Sequence, residues 1–111
     1  MKFKTGNMFA DLPQDLTQEL FQEIIAREGI RVERIVSDGH STPDGEWYDQ
    51  PGDEWVLLLS GSAGILCEGE NRELCLKAGD YVMIPAGCRH RVAWTDTGQK
   101  TVWLAVHLPK R

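Results

Sequence analysis

No apolar run in this 111-residue chain approaches the roughly 18 residues that a membrane-spanning helix needs. The first residues, Met1-Lys2-Phe3-Lys4-Thr5-Gly6-Asn7, also lack the apolar stretch of about 7–15 residues that marks a secretory signal. These absences lead us to expect a soluble, cytoplasmic protein with no membrane partner. Basic stripes are missing too: twelve Lys and Arg are scattered among seventeen Asp and Glu, for a net charge of -5, so nucleic acid is not an expected partner. Cysteine is scarce, and the three present form no C-x-x-C pair and no zinc-ribbon spacing. Cys67 and Cys75 flank the turn-like Glu68-Gly69-Glu70-Asn71-Arg72 and could face each other across a hairpin. In a reducing compartment, however, the expectation is buried thiols that act as small apolar residues. Repeats, low-complexity tracts and linkers are absent, which leaves a single domain over residues 1–111.

What is present suits one core, with 41% of residues hydrophobic. Apolar residues at 16, 20, 21, 24 and 25 fall at helical spacing, and Gly29 follows, so Leu16 to Arg27 is expected to be a short amphipathic helix. From Ile30 the period becomes two: Ile30, Val32 and Val36 alternate with Arg31, Glu33 and Ile35, the pattern of a strand. Asp38-Gly39-His40-Ser41-Thr42-Pro43-Asp44-Gly45 is a cluster of turn formers and is expected to be a loop. Seven short strands are expected after it: Glu46 to Gln50, Glu54 to Leu59, Ala63 to Glu68, Arg72 to Leu76, Tyr81 to Ile84, Arg89 to Thr95 and Thr101 to Leu108. Strands at this spacing predict an all-β sandwich or barrel over 30–108, carried behind an N-terminal arm over 1–29. The unalternating Trp55-Val56-Leu57-Leu58-Leu59 and the tryptophan-bearing Val102-Trp103-Leu104-Ala105-Val106 offer more apolar surface than one small barrel covers. A homodimer is the expected state.

Gly79-Asp80-Tyr81-Val82-Met83-Ile84-Pro85-Ala86-Gly87-Cys88-Arg89-His90 follows the pattern G-x5-P-x-G-x2-H. This resembles the second sequence motif of the cupin superfamily. Alternation along the following strand places His90 on one face with Val92 and Trp94, although the family's pattern usually has Asn where Trp94 stands. The first cupin motif, roughly G-x5-H-x-H-x3-4-E-x6-G, matches at its end through Glu54 and Gly61. Its two histidines are missing, and Tyr48-Asp49-Gln50-Pro51-Gly52-Asp53-Glu54 stands where the family has H-x-H-P-x-x-E. The resemblance spans about residues 46 to 108 and implies a double-stranded β-helix, or jelly roll.

It also implies a site. Family members hold a divalent transition metal such as Fe, Zn, Mn or Ni with three imidazoles and a carboxylate, leaving positions open for a small-molecule substrate. Here Glu54 and His90 match, and Gln50 can add a weak oxygen ligand. In one straight strand Gln50 and Glu54 would stand about 13 Å apart at roughly 3.3 Å per residue, so Pro51-Gly52 must bend the chain. A wide bend brings in Gln50, whereas a tight hairpin would bring in Asp49 instead. Tyr48 would ligate only as a phenolate, and His40 or His107 could replace a missing imidazole. The expected pocket is lined by Tyr48, Gln50, Glu54, Val56, His90, Val92 and Trp94. Two functions stay open: a metal-dependent dioxygenase, isomerase or decarboxylase, and a non-catalytic module that binds a small ligand. A third reading leaves Glu54 in solvent and His90 as a satisfied barrel histidine.

Overall fold

A computed structural model describes residues 2–110. Among them there are eight strands and no helix. In chain order they are β1 (Leu20–Arg27), β2 (Ile30–Ser37), β3 (Glu54–Ser60), β4 (Ser62–Cys67), β5 (Glu73–Lys77), β6 (Tyr81–Ile84), β7 (His90–Thr95) and β8 (Thr101–His107). Five strands form one sheet in the order β1-β2-β8-β3-β6, and three form a second in the order β5-β4-β7, with every pairing antiparallel. The two sheets enclose a core of Val56, Leu58, Ala63, Ile65, Leu76, Ile84, Trp103 and Ala105, giving the all-β jelly roll that the strand spacing predicts.

The N-terminal helix does not form. Leu20–Arg27 is instead an edge strand joined to β2 by a two-residue turn at Glu28-Gly29, whose φ values of 51° and 81° fit the left-handed turn that joins twisted strands tightly. Helical spacing arose from a β-bulge: Glu23 pairs with Glu33 and Ile25 with Val32, so Ile24 is an extra residue that breaks the period of two. The boundary at residue 29 moves accordingly, because 20–29 belongs to the larger sheet. The two faces of β2 meet different surroundings. Arg31, Glu33 and Ile35 face the barrel interior, while Arg34 lies under the N-terminal arm and donates to the carbonyls of Met8 (3.1 Å) and Ala10 (2.6 Å).

Residues 38–53 link β2 to β3, both in the large sheet, and cross along β7 of the small sheet on the way. Within them only Tyr48 makes a ladder pairing, with His90, so the strand expected at Glu46 to Gln50 reduces to one bridge. Thr42 anchors the same crossing: its amide donates to the Val92 carbonyl (2.9 Å) and its hydroxyl accepts from the Val92 amide (2.9 Å). This crossing therefore borders β7 and delivers Tyr48 and Gln50 to the barrel mouth.

Trp55 to Leu59 and Val102 to Val106 lie on β3 and β8, both internal to the five-stranded sheet. Val56, Leu58 and Trp103 are core residues, and Trp55 stacks on Tyr81 with ring centroids 5.7 Å apart. The surplus apolar surface lies elsewhere, on the β1–β2 hairpin, where Phe21, Ile24, Ile25 and Ile30 are exposed.

Candidate functional site

Three cross-strand rows of the large sheet aim side chains into the barrel. Arg31, His107 and Glu54 form the row at the mouth, Glu33, Ala105 and Val56 the next, and Ile35, Trp103 and Leu58 the deepest. Alternation fixes these faces, and Ala105, the smallest member, leaves room above it. The opposite wall is His90 and Val92 of β7 with Ile65 of β4. Between them lies a cavity of about 400 Å³, also lined by Glu19, Phe21, Tyr48, Gln50 and Ile84.

A polar network occupies its interior. The His107 ring binds the Gln50 side-chain oxygen through Nδ1 (2.9 Å) and Glu33 Oε1 through Nε2 (2.8 Å). Its Nε2 also lies 3.9 Å from Glu54 Oε2. The His90 Nδ1 pairs with the Cys88 carbonyl at 3.0 Å, which requires that nitrogen to donate and turns Nε2 toward Glu54 Oε1, 3.5 Å away. At that distance the two are in ionic range but beyond a good hydrogen bond. Glu54 Oε1 is fully enclosed and has no hydrogen-bond partner. Glu33, Glu54 and His90 are all buried, and burying such groups costs several kcal/mol per ion unless their pairing is very good. A buried carboxylate oxygen without a partner, on a residue that lines a cavity, is a candidate functional group.

Burial pulls the His90 pKa down, but Glu54, the Cys88 carbonyl and the charge of Asp49 together outweigh it, so the ring titrates above its ordinary 6.5. For Tyr48, burial and the charges of Glu19 and Glu54 raise the pKa above 10.0 and keep it a phenol.

Of the residues expected from the sequence, Tyr48, Gln50, Glu54, Val56, His90 and Val92 line the cavity. Gln50 arrives by the wide bend. A Cβ at Gly52 would lie 2.0 Å from the Leu108 carbonyl oxygen, so only glycine lets the chain turn so close to the end of β8. Asp49 is exposed and outside the lining. Trp94 is not in the pocket. Ile65 pairs with Val92 but Gly64 with Trp94, so Ala93 is a bulge that resets the alternation and turns Trp94 to the outer face, where it donates to Glu73 (2.7 Å). His40 sits in the crossing and accepts from the Asp38 amide (2.9 Å), away from the cavity. Glu33, Arg31, Glu19 and Phe21 were missed: alternation on β2 does not tell which face is inward, and Glu19 and Phe21 fall in the segment expected to be a helix.

The metal site implied by the resemblance needs a test against these donors. Glu54 Oε1 and His90 Nε2 have a spacing two ligands of one ion can have, but His107 is committed to Glu33 and Gln50. Among the described residues no three His, Cys, Asp or Glu side chains are grouped so that they could hold a metal ion. The arrangement does not fit the three-imidazole, one-carboxylate set.

The sheets, the cavity and the Gly79-to-His90 turn agree with known proteins. The sequence profile described as Cupin domain matches residues 35–107. A crystal structure from Ralstonia eutropha JMP134, of a protein provisionally named a mannose-6-phosphate isomerase, is 54% identical, with 96% of this chain and 98% of that one covered and a TM-score of 0.92. A cupin superfamily protein from Desulfitobacterium hafniense DCB-2 is 20% identical over 89% of this chain and 84% of its own, with a TM-score of 0.73. An RmlC-like cupin with a double-stranded β-helix fold from Methanocaldococcus jannaschii is 15% identical over 89% and 87%, with a TM-score of 0.69. No curated protein matches the chain. By its matched profile, its jelly roll and its 54% identical relative, the chain belongs to the cupin domain family.

Proposed function

We propose that this protein is an isomerase-type enzyme that moves a proton within a small organic molecule held in the barrel cavity, using Glu54 and His90 as its acid–base pair. The observation that carries this reading is the unpartnered Glu54 Oε1, buried and 3.5 Å from His90 Nε2. A substrate hydroxyl or acidified C–H that meets the pair from the cavity side gives Glu54 a hydrogen to accept. Glu54 then accepts a proton, and His90, in its protonated form, returns one to the neighbouring atom. The network from Glu33 through His107 to Gln50 holds the adjoining wall in place. The provisional name of the Ralstonia relative points to the same reaction class.

The electrostatics favour a ligand with hydroxyl groups and no phosphate. Three carboxylates line the cavity, and its one lining Lys or Arg, Arg31, is drawn to Glu33 at 3.7 Å. Incubation in heavy water with a panel of unphosphorylated aldoses and ketoses should place deuterium on the carbon beside the carbonyl, read by proton NMR. The exchange should survive a chelator. The rival reading, a divalent metal on Gln50, Glu54 and His90, gains support from the spacing of the last two. It requires the opposite result, with activity lost to the chelator, restored by zinc or manganese, and metal binding lost in His90→Ala. A protein that binds sugars without exchanging any proton would be a non-catalytic binding module.

The assembly we propose is a homodimer in the cytoplasm, formed through the apolar β1–β2 hairpin. No described helix is long and apolar enough to cross a membrane. Sedimentation at micromolar concentration should show a dimer that Phe21→Asp with Ile25→Asp converts to monomer. A wild type that sediments only as monomer rejects the assembly.

A further inference from the structure

Cys67 and Cys88 do not sit with Cys75. Cys67 ends β4, Cys88 lies in the turn before β7, and their sulfurs are 3.4 Å apart. All three cysteines are free thiols, and Cys75 is exposed on β5, opposite Gly64. The backbones around the close pair are already tied together, since Cys67 is the ladder partner of His90 and the Glu68 amide donates to the Arg89 carbonyl (2.8 Å). A disulfide needs sulfurs about 2.05 Å apart, so the pair must close by only about 1.4 Å. Both side chains are half-buried, which leaves them open to a small oxidant.

We infer that Cys67 and Cys88 are a redox modification site, a dithiol that forms a reversible disulfide and thereby moves His90. With hydrogen peroxide as oxidant, one thiol attacks an oxygen, releases water and becomes a sulfenic acid. The second thiol attacks that sulfur and releases another water. Two thiols and one peroxide thus give one disulfide and two waters, and a small thiol such as dithiothreitol returns both electrons and protons by exchange. Burial and the neighbouring Cys88 push the Cys67 pKa up to about 11, so near neutral pH Cys67 is a thiol and its oxidation by peroxide is slow. The link to the cavity is short. The Cys88 carbonyl accepts from His90 Nδ1 (3.0 Å) and sets the tautomer that turns Nε2 to Glu54, so pulling Cys88 toward Cys67 displaces the group that orients the ring.

The test uses the whole protein and does not depend on the proposed reaction. Peroxide treatment should lower the titratable thiols from three to one, with a mass loss of two hydrogens and a Cys67–Cys88 peptide on mapping. The His90 ring signals in NMR should shift, and dithiothreitol should restore both thiols and signals. Cys75→Ser should still lose two thiols, whereas Cys67→Ser and Cys88→Ser should form no intramolecular disulfide. Retention of all thiols, irreversible oxidation of single cysteines, or a bridge to Cys75 overturns the site. A disulfide that leaves the His90 signals unchanged overturns its coupling to the cavity.

Discussion

Glu54→Gln is expected to lower the deuterium-exchange rate by about 10² to 10⁴-fold, the usual contribution of a positioned acid–base group, while thermal stability stays the same or rises. The amide keeps the size of the side chain but cannot accept the proton. It also removes a buried charge whose Oε1 has no partner, and replacing such a charge by a neutral group relieves a desolvation cost. His90 reports the same change. Its pKa lies above 6.5 because Glu54, the Cys88 carbonyl and Asp49 outweigh burial, so loss of the Glu54 charge should move its titration to lower pH. A raised histidine pKa stabilises the fold most below about 6.5, and that contribution disappears as pH rises through the folded-state value. In wild type the midpoint of unfolding should therefore fall as pH climbs across that window, and in Glu54→Gln the slope should flatten. Equal exchange rates in the two proteins would remove Glu54 from the chemistry.

The largest expected loss of stability comes from Gly61→Ala. Gly61 is the one residue between β3 and β4, at φ 84°, and a Cβ there would lie 2.3 Å from Thr101 Oγ1 and 2.8 Å from Thr101 Cα. A left-handed conformation costs an L-residue about 1–2 kcal/mol, and overpacking against a backbone atom adds about 1–3 kcal/mol, so about 2–5 kcal/mol is expected in all. For a domain of this size that corresponds to a fall in Tm of roughly 10–20 °C. Gly45→Ala is the control: φ is 81°, nothing lies within 4 Å, and only the backbone term applies. Calorimetry that finds the two variants equally stable would show that Thr101 moves aside.

The barrel was legible because its signals are local. Gly79, Pro85 and Gly87 turn the chain, and His90 enters β7 at a fixed distance from them. Glu54 and Gly61 are legible for the same reason, one at the start of β3 and the other just after its end. The edge hairpin was not, since an inserted Ile24 gives a strand the spacing of a helix, and only pairing with β2 settles the choice. The Trp94 assignment failed through the same device at Ala93. Alternation at Arg31 and Glu33 marks a strand but does not say which of its faces is inward, and the fold buries Glu33 against His107. His107 lay at the chain's end without a motif, and its place beside Glu54 exists only through the β3–β8 register.

The single extra residue at Ala93 acts as a phase shift in β7. Before it, the even-numbered His90 and Val92 look into the cavity; after it, the odd-numbered Thr95 rather than Trp94 is buried. The bulge absorbs one surplus residue and leaves Trp94 opposite Gly64 and Thr95 opposite Ala63. A lineage carrying one residue fewer there would keep the same two faces on a regular strand. A strand of unchanged length that lost the bulge would instead slip by one position, presenting an indole to the interior and a hydroxyl to water.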